Sequence, residues 1–263
     1  MTTMQTLRSS CSISVKTAFT AVPPAIWFIQ IALTSFFMMA FFVLFTEFAT
    51  GDRAKMDFVA IGISVQTIAT TAMYSIANVP GVQKHVGTMQ VLMTSPANLY
   101  VVFLGMSLFS MLTGFMTVGL SLGYAVFIFG VNFSAVNIVS MLVVMLITAV
   151  TMSCVGMAIG SIGLYLRTSV ILANVIAYIG LVISGVNFPV SDLPGWVQPI
   201  AHAYPLTYAV DAMRGAIDGK GIMDMSTEIG MMVLLGVIFA VLSYLLFIYF
   251  EKRTRKSGKL DSF

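Results

Sequence analysis

Four of the eight prolines in this chain fall between Gly185 and Arg214. A proline inside a helix removes a backbone hydrogen bond and clashes with the preceding turn, so no long helix can continue through this stretch. We predict a turn, a short helix, a second turn and a second short helix. Ser191 or Asp192 is expected to cap the first helix, and Pro205 to begin the second. Each piece is too short to cross a membrane.

The rest of the chain consists mainly of long apolar runs. Hydrophobic residues make up 59% of it and charged residues 9%, against roughly 25% charged in soluble domains. We therefore predict an all-α polytopic membrane protein, with residues 1–263 as one transmembrane domain. Six transmembrane helices are expected, at about residues 25–48, 58–79, 99–129, 136–164, 169–185 and 229–250.

The residues before the first run carry a different pattern. From Met4 to Val22, apolar side chains recur every three or four positions, with Arg8 and Lys16 between them. This pattern predicts an N-terminal interfacial helix over residues 1–24, lying on the membrane surface. A disordered polar tail is the alternative.

The basic residues predict the orientation of the chain. With both termini cytoplasmic, nine of the 13 basic residues lie inside, which agrees with the positive-inside rule. They are Arg8, Lys16, Lys84, Arg167, Lys252, Arg253, Arg255, Lys256 and Lys259. We expect a multi-pass protein of the cell (plasma) membrane.

One spaced pattern resembles a known family. Its residues are Phe188, Pro189, Leu193, Pro194, Pro205, Thr207, Tyr208 and Arg214. They resemble the signature near the last span of ABC-2 permeases, the membrane subunits of ATP-driven exporters. The resemblance implies a re-entrant helical hairpin over residues 186–214, before the last span. An outer gate would consist of Phe188, Pro189, Leu193, Pro194 and Trp196, with Asp192 and Arg214 at the water boundary.

The loop between the second and third spans resembles the cytoplasmic coupling helix of that family. Residues 82–96 match it at Lys84, Gly87, Thr88, Leu92 and Pro96, although the usual acidic residues are missing. A stripe of Val86, Met89 and Met93 would dock a soluble partner. An interfacial helix lying on lipid headgroups is the alternative.

The sequence contains no GxxxxGK[ST] phosphate-binding motif and no catalytic set, so we predict a transport subunit that is not an enzyme. ATP and Mg would bind to a separate ABC ATPase subunit, present in two copies. We expect no cofactor or metal in this chain, since its two histidines stand apart, and no nucleic acid partner.

The resemblance also implies that the chain pairs with a second permease copy or a close homologue, as a homodimer or heterodimer. The first and fifth spans would then line the substrate pathway, which places Phe36, Phe37, Phe41, Asn174 and Tyr178 near it. Lipid-facing positions are the alternative for the phenylalanines. In the second span, polar side chains should face other helices or a wet path. They are Gln66, Thr67, Thr70 and Thr71.

Two glycine pairs, Gly119 with Gly123 and Gly156 with Gly160, have the spacing of close helix contacts, more often within one chain than between chains. The function that we expect is export of an amphiphilic small molecule or drug, as in multidrug efflux. Export of a lipid-linked polysaccharide is the runner-up. A secondary transporter or channel is less favoured, because no charged residue lies centrally in a predicted span.

Overall fold

The computed structural model describes residues 6–7, 9–14, 23–85, 87–95, 98–165 and 169–257. Within these residues every regular element is a helix, and there is no strand. The helices are α1 (Pro24–Thr50), α2 (Arg53–Ala77), α3 (Val79–His85), α4 (Met89–Thr94), α5 (Leu99–Phe127), α6 (Ile138–Tyr165), α7 (Ser169–Ile183), a 3-10 turn (Val190–Asp192), α8 (Gln198–His202), α9 (Pro205–Ile217) and α10 (Ser226–Ser257).

Five of these helices, α1, α2, α5, α6 and α10, are long and apolar enough to cross a membrane. They coincide with five of the six predicted spans, although α2 begins about five residues earlier and α10 ends about seven residues later than expected. The fifth predicted span corresponds to α7, which has 15 residues. At 1.5 Å per residue it is roughly 22 Å long, less than the ~30 Å of a hydrocarbon core. The six-span count therefore stays a prediction.

Helix α2 lies at the centre of the bundle. It packs against α1, α5, α6, α7 and α9, and most of its residues are buried. Its start is fixed by Asp52, whose Oδ1 accepts a hydrogen bond from the Ala54 N–H at 2.9 Å. Gly51, in the left-handed region at φ 61°, ends α1 immediately before it. This short connection brings α2 back alongside α1.

The two glycine pairs have different surroundings. A methyl group at Gly156 would overlap the Met73 carbonyl, and one at Gly160 would lie 3.1 Å from the Ile76 carbonyl oxygen. On α5, a methyl group at Gly119 or Gly123 would meet nothing within 4 Å. Only the pair on α6 therefore provides a close helix contact within the chain, and α2 is its partner.

The N-terminal segment packs along α5. Residues 9–14 are helical, and the Ser14 hydroxyl donates to the Met106 carbonyl at 3.0 Å. A methyl group at Gly105 would lie 2.7 Å from Cβ of Ser10. Most of the remaining residues of the predicted interfacial helix lie outside the described residues, so its place on the membrane surface stays a prediction.

The proline-rich stretch folds into the short pieces that the sequence predicts. Pro205 begins α9, as expected. The capping prediction for the first short helix is wrong, because Ser191 and Asp192 lie in the 3-10 turn itself. Helix α8 begins after Val197, which provides no side-chain cap. Re-entry of this stretch into a membrane stays a prediction.

Candidate functional site

A cavity of about 560 Å³ lies between α1, α2, α5 and α7. This volume is within the range of small-molecule sites, roughly 300–1,000 Å³. Its walls combine aromatic and aliphatic surface with hydroxyl and amide groups. The lining residues are Trp27, Gln30, Ile31, Thr34, Ser35, Met38, Ile63, Gln66, Thr67, Thr70, Thr71, Tyr74, Thr117, Asn174, Ala177, Tyr178 and Leu181.

The wall formed by α2 carries all four polar residues that the sequence singled out in the second span. The hydroxyls of Thr67, Thr70 and Thr71 each donate to the backbone carbonyl four residues earlier, at 2.7 to 2.8 Å. The Gln66 amide Nε2 donates to the Ala177 carbonyl of α7 at 3.3 Å. This bond connects the two helices on either side of the cavity.

Two of the five predicted pathway residues line the cavity. They are Asn174 and Tyr178, one helical turn apart on α7. The three phenylalanines do not line it. Phe36 packs edge to face on Tyr124 of α5, with ring centroids 5.5 Å apart. Phe37 and Phe41 are about two-thirds exposed, which agrees with the lipid-facing alternative.

Sequence reasoning missed the polar contribution of α1. Gln30, Thr34 and Ser35 all line the cavity, and Trp27 lies one turn before them. The signal was available, because Gln30 and Thr34 are four residues apart in an otherwise apolar run and so share one helix face. The amide and hydroxyl groups of this span, and not its phenylalanines, line the cavity.

The hairpin, residues 186–214, is fixed to α2 by Arg214. Its Nη2 donates to the carbonyl oxygens of Gly185 at 2.8 Å, Phe58 at 3.2 Å and Val186 at 3.3 Å. The guanidinium carbon lies 3.3 Å from the centroid of the Phe58 ring, a cation–π contact. The Asp211 carboxylate lies 3.6 Å from Arg214 Nη1, one turn earlier on the same face of α9. Arg214 therefore connects three backbone segments at one point.

The place of Arg214 at the water boundary stays a prediction; 15% of its side chain is exposed, and the rest is buried. Burial lowers the pKa of Arg214 to about 10, so the guanidinium remains charged at neutral pH. The sequence pattern could place Arg214 on α9 but could not show that α9 turns this face towards α2. Asp192, the other residue predicted there, is exposed.

The predicted gate residues lie on the surface of the hairpin. Phe188, Pro189, Pro194 and Trp196 are exposed, and Leu193 is half-buried. The Leu193 carbonyl accepts a hydrogen bond from Gln198 Nε2 at 3.0 Å, which ties the loop to α8. None of these five residues lines the cavity. Their gating role stays a prediction.

At the opposite end of the bundle, α3 and α4 form an elbow, residues 79–94, where a single coupling helix was predicted. Gly87 allows the turn between them, with φ 74° in the left-handed region. The Lys84 ammonium donates to the carbonyls of Gly163 and Leu164, both at 3.0 Å. Thr88 hydrogen-bonds to the side chain of Gln83 across the turn. Lys84 therefore fixes the elbow to the carboxyl end of α6.

The predicted docking stripe is wrong for Met89 and Met93. Both are 3% exposed and pack in a cluster with Phe103 and Phe247 at the elbow end of the bundle. Leu92 is half-buried against the same cluster. Val86 and Pro96, the other predicted docking residues, lie outside the described residues. The elbow instead exposes Val82, Gln90, Val91 and Thr94.

Within the described part of the chain, no group of three His, Cys, Asp or Glu side chains could hold a metal ion. Comparison with known proteins gave one family. The model of the ABC-2 type transporter family matches residues 17–217, which is more than half of the chain. No curated protein matches it.

Proposed function

Because this chain belongs to the ABC-2 type transporter family and is a multi-pass permease subunit of an ABC transporter, we propose that it exports an amphiphilic small molecule. The route passes through the cavity between α1, α2, α5 and α7. The observation that carries the proposal is the composition of this cavity. Aromatic and aliphatic surface surrounds a few amide and hydroxyl groups in a volume of drug-like size.

ATPase subunits of this family are separate proteins, and two of them would bind ATP and Mg for the transporter. The exposed face of the elbow is where they would dock, through Val91 and its exposed neighbours. A second permease copy, or a close homologue, would complete the pathway. Residues 169–185 would act as a fifth span, which leaves both termini in the cytoplasm of the cell.

The contacts of the described residues support a mechanical route from the ATPase to the cavity. The elbow is bound to the end of α6 by Lys84. Helix α6 packs against α2 at Gly156 and Gly160 without room for a side chain. Helix α2 forms the polar wall of the cavity and holds the hairpin through Arg214. A push on the elbow would therefore reach both the cavity and the predicted gate.

The alternatives are less well supported by this cavity. A lipid-linked polysaccharide is longer than a space of about 560 Å³ can enclose, and it would need an open groove between two subunits. A secondary transporter usually couples ions through a charged intramembrane residue. Among the described residues, none of those that line the cavity is charged.

The test is purification of the tagged chain from its own membranes in mild detergent, followed by an ATPase assay. We expect a stoichiometric soluble partner whose ATP hydrolysis is stimulated by amphiphilic compounds. Tyr178→Ala, in the cavity, should lower this stimulation, whereas Phe41→Ala, on the exposed face of α1, should not. A chain that purifies alone and moves solute into liposomes without ATP would overturn the proposal.

A further inference from the structure

The α2 wall of the cavity can accept hydrogen bonds but has few hydrogens left to donate. A threonine hydroxyl has one hydrogen and two lone pairs. In Thr67, Thr70 and Thr71 that hydrogen is directed to the backbone of α2 itself. All three side chains are half-buried and line the cavity. Only their lone pairs remain for an occupant.

Gln66 adds a stronger acceptor to the same wall. The residue is 5% exposed, and its Nε2 is used by the Ala177 carbonyl. Its Oε1 is buried and has no hydrogen-bond partner among the described residues. A buried amide oxygen without a partner is unfavourable, because it has lost its water and gained nothing in exchange. The oxygen is covered, so a donor in the cavity would reach it once the Gln66 side chain turns towards the cavity.

The charge and aromatic content of the cavity restrict the donor further. The described residues that line the cavity include no Asp, Glu, Lys, Arg or His, so an anionic group would find no cation there to compensate its charge. Trp27, Tyr74 and Tyr178 add aromatic rings to the lining, and the faces of such rings attract cations. These walls suit a group that donates hydrogen bonds and tolerates positive charge.

We propose that the cavity binds amphiphilic amines, and that Gln66 Oε1 and the threonine oxygens of α2 accept hydrogen bonds from the amine N–H groups. The apolar part of the compound would lie against the aromatic rings. This inference names the substrate class of the proposed transporter. It rests on the proposed function only for the statement that a bound amine is then transported.

The test uses two dyes that share one ring system and one charge. One is a rhodamine methyl ester with primary amino groups, and the other is its tetramethyl counterpart, in which methyl groups replace every amine hydrogen. The purified chain in lipid nanodiscs is titrated with each dye, with empty nanodiscs as the blank. Dye anisotropy gives the affinity. Because Trp27 and Trp196 are the two tryptophans, quenching in a Trp196→Phe background reports binding beside Trp27.

We expect the primary amine dye to bind about tenfold more tightly than the tetramethyl dye and to quench Trp27, since only the first can donate to the wall. Equal affinity for the two dyes would overturn the inference. So would tighter binding of the tetramethyl dye, because the cavity would then select for apolar surface. Binding without quenching of Trp27 would place the site elsewhere and would also overturn it.

Variants identify the acceptors. Thr70→Val keeps the shape of the side chain and removes its oxygen. It should lower the affinity for the primary amine dye several-fold and leave the affinity for the tetramethyl dye unchanged. Gln66→Met should have a larger effect of the same kind. Thr148→Val is the matched control, because the Thr148 hydroxyl is also buried and donates to the carbonyl of Val144 at 2.7 Å but does not line the cavity.

The Gln66 substitution also removes the bond to Ala177, so its folding is checked by thermal unfolding. If Gln66→Met fails to fold, Thr70→Val still decides the question. If Thr70→Val lowered the affinity for both dyes to the same extent, the assignment of the acceptors would be contradicted. Amine binding by a chain that recruits no ATPase would refute the proposed function and leave this inference standing. An active transporter that binds both dyes equally would refute this inference and leave the proposed function standing.

Discussion

At each end of the bundle, one basic side chain joins separate backbone segments by hydrogen bonds. At the hairpin end, Arg214 donates to three backbone carbonyls and stacks on the Phe58 ring. At the elbow end, Lys84 donates to two carbonyls at the end of α6. In both cases a single basic side chain donates to several backbone oxygens. Those of Gly163 and Leu164 lie in the last turn of α6, where carbonyls have no N–H partner within the helix.

The difference between the two contacts concerns rigidity. A guanidinium group is planar, and its donors have fixed directions, so Arg214 holds three segments in one geometry. An ammonium group is compact and can rotate its three donors, so Lys84 can keep its bonds while the elbow tilts. We infer that the hairpin end is the fixed end of the bundle and the elbow end the adjustable one. Four predictions test this comparison.

The largest effect is expected at Arg214. Arg214→Met removes the hydrogen bonds to the carbonyls of Gly185, Val186 and Phe58, and with them the link between the hairpin and α2. We expect the free energy of unfolding to fall by about 3 kcal/mol, since a buried charged hydrogen-bonding group is lost. Thermal denaturation in detergent measures it. Lys55→Met, at an exposed basic residue of the same end, should change little. Similar losses of unfolding free energy in the two variants would contradict the role of Arg214 in fixing the hairpin end.

The next effect tests the close contact beside this anchor. A methyl group at Gly62 would overlap the Val186 carbonyl, so Gly62→Ala must displace the hairpin from α2. We expect a loss of about 2 kcal/mol from overpacking, measured by the same denaturation. Gly123→Ala is the matched control, because its methyl group would meet nothing within 4 Å. A tolerated Gly62→Ala would show that this end is not rigid.

At the elbow, the expected effect is on coupling more than on stability. Lys84→Met removes two hydrogen bonds from a half-buried position and should cost about 1 kcal/mol of unfolding free energy. Transport should fall about tenfold while ATP hydrolysis continues, because the push no longer reaches α6. Lys252→Met, at an exposed lysine in α10, should behave as wild type. Normal transport in Lys84→Met would contradict the role of the elbow contact.

The smallest effect on the fold is expected at Val91, which is 68% exposed on α4. Val91→Asp should leave thermal stability unchanged and weaken recovery of the ATPase partner about tenfold, because an unpaired charge would enter the interface. Met223→Asp makes the same change at an exposed residue near the hairpin end. An equal loss of partner in both variants would argue against docking at the elbow.

The spans and their breaks could be predicted because their causes are local. Prolines such as Pro205, the first residue of α9, act on the backbone beside them, and long apolar runs give approximate helix bounds. Whether an apolar side chain faces lipid or the protein core could not be predicted. In a membrane protein, lipid and core are equally apolar, so the sequence does not separate buried Met89 from exposed Phe37. The two glycine pairs make the same point, because one spacing gave a packed contact on α6 and an open face on α5.

By itself, the sequence determined that the chain consists of long apolar helices interrupted by a proline-rich stretch, and to which family it belongs. These properties follow from backbone hydrogen bonding and from the transfer of apolar side chains out of water, which depend on neighbouring residues. The tertiary structure alone decided that Arg214 meets Phe58 and that Gln66 meets Ala177, far apart along the chain. Such contacts depend on the shapes of several helices packed together, and no local pattern encodes them.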